Sequence, residues 1–159
     1  MGTIETKRLR DAFIEFCSVE KMKSPYAVTL TLKAARHLDY QWIPLTQIDA
    51  EQNLRHFLNV ISKKLRREGL AKGYRPRCVP VLEGNDVIRK HYHLIIDKPD
   101  IIGSEEFALL IGRSWRNTFW GHEQVTVRAC YDGSGWLRYI AKPRTKVHYA
   151  DSIDWMNFK

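Results

Sequence analysis

Residues 78–97 read CVPVLEGNDVIRKHYHLIID. Two apolar runs flank Gly84-Asn85-Asp86, a turn signal. The pattern predicts a strand over 78–83, a tight turn, and a second strand over 88–97, together a hairpin. Pro80 has no N–H to give to a ladder, which places the first strand at a sheet edge. In the second strand His91 and His93 leave one face together with Ile95 and Asp97, while Tyr92, Leu94 and Ile96 take the other. With Glu83 opposite Arg89, its carboxylate shares the face of His91 and lies within diagonal reach of it. A one-residue slip would send Glu83 to the wrong face. Two imidazoles and a carboxylate aimed at one point suit a divalent metal and leave positions for water and phosphate oxygens.

Upstream, YAVTLTLK (residues 26–33) alternates Val28, Leu30 and Leu32 against Thr29 and Thr31, which reads as a strand with one apolar and one hydroxylated face. A loop containing Pro44 leads to Asp49, whose spacing to Gln52 resembles a capping box. Leu54, Phe57, Leu58, Ile61 and Leu65 then recur at helical spacing until Gly69. Before all of these, residues 3–20 read as an amphipathic helix with Leu9, Phe13 and Phe16 inward, ended by Ser24-Pro25. Downstream, Phe107, Leu110, Ile111 and Trp115 mark a core-facing helix with Glu105 and Glu106 in its first turn. A strand over 123–131, a turn at 132–135 and a short helix over 136–142, stopped by Pro143, complete the pattern. The tail beyond Thr145 carries no periodicity.

The order strand–helix–strand–strand–helix–strand is that of an α+β, ferredoxin-like split βαβ fold. Such a fold has an antiparallel sheet with helices on one face and leaves the other face for the site. The length, 159 residues, fits one domain: an N-terminal helix (1–24), a catalytic core (25–142) and a C-terminal tail (143–159). In the last predicted helix Tyr139 and Lys142 are three apart and share a side, while Trp136 and Ile140 mark a different, packing side. Phenol is a poor nucleophile at its usual pKa of about 10, and a nearby cation or metal favours the phenolate.

In this order the pieces resemble the HUH (histidine–hydrophobic–histidine) endonuclease superfamily, in particular single-tyrosine rolling-circle replication initiators of phages and plasmids. The apolar strand matches residues 26–33, the H-U-H strand matches His91-Tyr92-His93, and the Y-x-x-K matches Tyr139-Ile140-Ala141-Lys142. Tyr92 is bulkier than the usual aliphatic central residue. The resemblance implies a nick in single-stranded or hairpin DNA, dependent on magnesium or manganese held by Glu83, His91 and His93. Tyr139 would attack phosphorus and form a 5′-phosphotyrosine link, and Lys142 would orient the phosphate or stabilise the phenolate.

Lysine and arginine number 26 against 18 acids, a net +8 that favours a polyanionic partner. Lys63, Lys64, Arg66, Arg67, Lys72, Arg75 and Arg77 cluster at the end of the long helix, and Arg138, Arg144 and Lys146 flank Tyr139; both groups are candidate DNA contacts. The longest apolar run, residues 107–111, is far short of a membrane span, and residues 1–10 show no secretory signal. Three dispersed cysteines form no C-x-x-C pair, which fits a reducing cytoplasm. With no G-x-x-x-x-G-K-[ST], unwinding falls to a separate helicase or to host replication proteins. Other readings are a single-tyrosine transposase of the same superfamily, a non-catalytic ferredoxin-like nucleic-acid-binding module, and a zinc hydrolase with Asp97 as base. Lys142 favours the initiator over the transposase, which more often carries glutamine there.

Overall fold

The computed structural model describes residues 4–85, 87–141 and 152–159. The elements run α1 (Ile4–Cys17), a 3-10 turn (Val19–Lys21), β1 (Pro25–Leu32), β2 (Ala35–Leu38), β3 (Gln41–Pro44), α2 (Gln47–Arg67), β4 (Cys78–Glu83), β5 (His91–Asp97), α3 (Ser104–Arg116), β6 (Gly121–Ala129) and α4 (Gly133–Ile140). Four strands form one antiparallel sheet in the order β4-β5-β1-β6, the ferredoxin-like arrangement. Strands β2 and β3 form a separate hairpin where a loop was expected.

The alternation in β1 and β5 sets the two faces. Val28, Leu30, Leu32, Tyr92, Leu94 and Ile96 are buried on one face beneath α2 and α3. There Leu54, Phe57, Leu58, Ile61 and Leu65 of α2 meet Phe107, Ile111 and Trp115 of α3. The Trp115 indole donates to the Thr31 carbonyl at 2.8 Å, tying α3 to the end of β1. The second face is not wholly open, as had been expected. Val79, Val81 and Ile95 form a second core with Phe13 and Cys17 of α1, Leu137 of α4 and its cap Ala141, and Ile153. Apolar residues at that end of the face require cover, so the polar site is confined to the rest of it.

Local chemistry corrects several boundaries. Helix α1 turns Phe13 and Cys17 inward and leaves Leu9 and Phe16 exposed. Thr46, not Asp49, caps α2: its hydroxyl accepts from the Asp49 N–H, and the Asp49 carboxylate accepts from the Thr46 N–H. Helix α4 begins at Gly133 because the Asp132 carboxylate accepts from the Gly135 N–H at 2.8 Å. Strand β5 begins at His91, not Ile88, because Asn85 Oδ1 takes the N–H groups of Val87 and Ile88. Gly84 has φ +116, and a Cβ there would lie 2.7 Å from the Lys90 Cα, so only glycine fits that turn.

Pro80 does lie on an edge strand. The unassigned tail returns along that edge. Cys78 and Lys159 exchange backbone hydrogen bonds at 3.0 Å, and the Asp154 N–H donates to the Pro80 carbonyl. The bulky Tyr92 is explained on the far face. Its hydroxyl donates to Asp154 Oδ2 at 2.9 Å, and Asp154 also accepts from the side chain and backbone N–H of Asn157. Burial pushes the Asp154 carboxyl above its ordinary range, against the Asn157 and Tyr92 hydrogen bonds. Burial, then the Asp154 charge, raises the Tyr92 phenol and keeps it a donor. Tyr92→Phe leaves the carboxylate its Asn157 partners. The expected loss is therefore about 1–2 kcal/mol, read as a fall of a few degrees in thermal midpoint.

Candidate metal and nucleophile site

Pairing places polar side chains in rows across the second face. Glu83 pairs directly with His91, which pairs with Thr31; Val81, His93, Thr29 and Thr126 form the next row. The expected partner of Glu83 was Arg89. The shift is two residues, because the connecting loop runs to Lys90, and a shift of two preserves the face.

Glu83 Oε2 lies 3.1 Å from His93 Nε2 and 3.5 Å from His91 Nε2, and the two Nε2 atoms are 3.1 Å apart. The ligand atoms of the three residues all lie within 4.8 Å of one another. Among the described residues they are the one group of three such side chains placed to hold a metal ion. Both rings are held from behind. His91 Nδ1 donates to the Arg89 carbonyl at 2.9 Å, which turns Nε2 toward Glu83. His93 Nδ1 lies 3.2 Å from Thr29 Oγ1. These outer contacts fix ring orientation as they do around bound metals. Two ring nitrogens and a carboxylate oxygen fit a divalent ion and leave coordination positions for oxygen ligands.

The hydrogen bond that His91 donates to Glu83 raises the His91 pKa above 6.5; burial opposes, and the Arg89 carbonyl and the Glu83 charge add to the rise. Asp97 stands elsewhere. It accepts from the backbone N–H of Ser24 and Lys23, four residues and about 13 Å of strand beyond His93. That removes Asp97 as the base of a zinc hydrolase. Cys17 and Cys78 are buried, and burial pushes both thiols up to about 12, so neither is a ready nucleophile.

Helix α4 brings Tyr139 to the same region. Its ring centroid lies 6.3 Å from that of His93, edge to face. Trp136 stacks on Tyr139 at 5.2 Å and meets His93 edge-on at 5.5 Å. The Trp136 indole donates to the Leu94 carbonyl. Leu137 of α4 and its cap Ala141 are buried in the second core, and Trp136 packs against that core half-buried, on the side that the spacing had implied. Tyr139 remains 50% exposed. A groove of about 530 Å³ runs beside it, lined among others by Thr29, Thr126, Arg128 and Trp136. Thr126 and Arg128 were missed, although the alternation VTVR in β6 carries the signal. Lys142, Arg144 and Lys146 lie outside the described residues.

The basic cluster of α2 is not gathered to this site. Helix α2 packs on the opposite sheet face. Its C-terminal end lies toward Asp97, the strand end away from His91, where the Asp97 N–H donates to the Arg77 carbonyl. Lys63, Lys64, Arg67 and Lys72 are exposed there, Arg66 donates to the Tyr74 carbonyl, and Arg75 and Arg77 are half-buried. Arg138 shares a pocket with Asp11, Glu15 and Glu20. Arg89 and Lys90 directly precede His91 in sequence and were not among the expected DNA contacts.

Among the described residues no helix is long and apolar enough to cross a membrane. No curated protein and no solved structure matches the chain. The family model for replication-associated protein ORF2/G2P matches residues 25–147, well over half of the 159. That span contains the whole sheet, the three clustered ligand atoms and the tyrosine helix, and the chain belongs to the replication-associated protein ORF2/G2P family.

Proposed function

We propose that this protein initiates replication by nicking single-stranded or hairpin DNA through a covalent tyrosine link, as a metal-dependent HUH endonuclease. The observation that carries the reading is the placement of Tyr139, edge-on to His93, beside the Glu83–His91–His93 group. Divalent magnesium or manganese held by those three residues would polarise the scissile phosphate. Thr29 and the Arg89 carbonyl hold the two imidazoles in position for it. Trp136 stacks on the Tyr139 ring and limits its swing, so attack starts from a restricted geometry. The Tyr139 oxygen forms a bond to phosphorus and loses its proton. The bond from phosphorus to the 3′ oxygen breaks, and that oxygen gains a proton as a 3′-hydroxyl. The 5′-phosphate stays on Tyr139, and the 3′-hydroxyl can reverse the step and rejoin the strand. Arg128 lines the groove where the DNA backbone would pass, and Lys142 would orient the phosphate or stabilise the phenolate. The family assignment and the Y-x-x-K sequence favour an initiator over a transposase. A separate helicase or host replication proteins would then open the duplex.

The test uses a pool of randomised, labelled single strands. With manganese, a denaturing gel should show a protein–DNA adduct, and chelator should abolish it. Peptide mapping should find the nucleotide on the segment that holds Tyr139. No adduct with any strand, in magnesium or manganese, would remove the enzymatic reading.

A further inference from the structure

The hairpin β2–β3 stands outside both cores. Its turn is Asp39-Tyr40, with φ of +46 and +66. Both central residues thus adopt the left-handed region that two-residue hairpins demand, normally supplied by asparagine and glycine. A tyrosine is a costly choice there, and its ring gains no burial in return: Tyr40 is 97% exposed. Trp42 is 72% exposed and pairs across the hairpin with His37, ring centroids 5.2 Å apart. The opposite face is the anchored one, where the Arg36 guanidinium sits 4.3 Å over the Phe119 ring.

The hairpin is also continuous with the metal and nucleophile site. Thr31 pairs with His91, the Leu32 N–H donates to the Lys90 carbonyl, and the Leu45 N–H donates to the Ala34 carbonyl at the hairpin base. Five residues lie between Thr31 and His37, a span of at most about 22 Å of chain. At the hairpin base lies a cleft of about 330 Å³, lined by Pro44, Asn85, Val87, Arg89 and Lys90. Two cations that directly precede His91 in sequence therefore line the cleft at the hairpin base.

We infer that the β2–β3 hairpin is a stacking platform for unpaired DNA bases, with Tyr40 and Trp42 as the rings and Arg89 and Lys90 guiding the backbone between platform and site. Aromatic faces beside a basic track are the chemistry that holds single strands without reading sequence. The inference rests on the single-stranded substrate proposed above and adds the path that the strand takes away from the nick.

The experiment measures anisotropy of labelled single-stranded oligonucleotides with the wild type, the pair Tyr40→Ala/Trp42→Ala, and Trp42→Phe. The double variant should bind about ten- to hundredfold more weakly, and Trp42→Phe should retain most of the affinity. The salt dependence should be unchanged in the double variant and shallower in Arg89→Ala/Lys90→Ala, because only the cations release counterions. Circular dichroism checks that the double variant is folded. A double variant within twofold of wild type would overturn the platform, as would a wild-type dimer that the double variant turns monomeric. The covalent adduct is scored separately. Loss of binding in the double variant, with no adduct from wild type on any strand, would leave the platform and remove the nicking reading. An adduct together with full binding by the double variant would do the reverse.

Discussion

Tyr139→Phe protein should form no covalent adduct with DNA, a loss of at least about 10⁴-fold in adduct rate. The substitution removes one oxygen. The ring that stacks on Trp136 and meets His93 edge-on stays, so the fold, the metal group and the groove should remain. Single-strand affinity should stay within a few-fold of wild type, which separates lost chemistry from lost binding. The informative competitor is Tyr131, fully exposed and lining the same groove. Should the adduct survive in Tyr139→Phe and vanish in Tyr131→Phe, the nucleophile has been misassigned while the site stands.

His93→Ala should weaken manganese binding by at least about 100-fold, more than the loss of an outer-sphere partner costs. Nicking should fall by roughly 10³-fold or more, the value of several kcal/mol of lost charge stabilisation. His93 also touches Trp136 and Tyr139, so the loss could come from a displaced nucleophile. Glu83→Gln resolves this: it keeps volume and both imidazoles and removes only the charge. Calorimetry with manganese should show weakened binding in both variants. Normal binding in both would dismiss the metal group. The pH dependence follows from His91, whose pKa lies above its ordinary value mainly through Glu83. Its proton competes with the ion, so metal affinity should climb as pH rises through that raised value. In the metal-free protein the sign is opposite. The stability that the protonated pair contributes is fully present below about 6.5 and is lost as pH rises through the raised value. In Glu83→Gln both transitions should move to lower pH.

The sheet and the ligand face were legible because strand periodicity is strict. Residues 26–33 and 91–97 declare their faces by alternation, and an even error in register still puts Glu83 beside the histidines. The helix phases of α2 and α3 were legible for the same reason. Helix α1 was not, since several phases bring a phenylalanine inward and only the partner surface selects Phe13 and Cys17. The β2–β3 hairpin was hidden because Asp39-Tyr40 lacks the glycine or asparagine that announces such a turn. The start of α4 was hidden because DGSG reads as a turn until Asp132 is seen to cap it. The tail at 152–159 has no local signal at all; its path is decided by the edge of β4 and by Tyr92. The basic cluster of α2 shows the remaining gap: density along the chain does not say which sheet face a cation serves.

Tyr92 sits between the two histidines and points away from them. Through Asp154 and Asn157 it reaches the carbonyl of Glu51 in α2. A slide of β5 along its own axis would have to uproot a buried phenol and strand a carboxylate. The spacing of the imidazoles is thus pinned from behind the sheet. Tyr92, Asp154 and Asn157 are all buried, so changes on the exposed surface can accumulate without loosening the His91–His93 spacing.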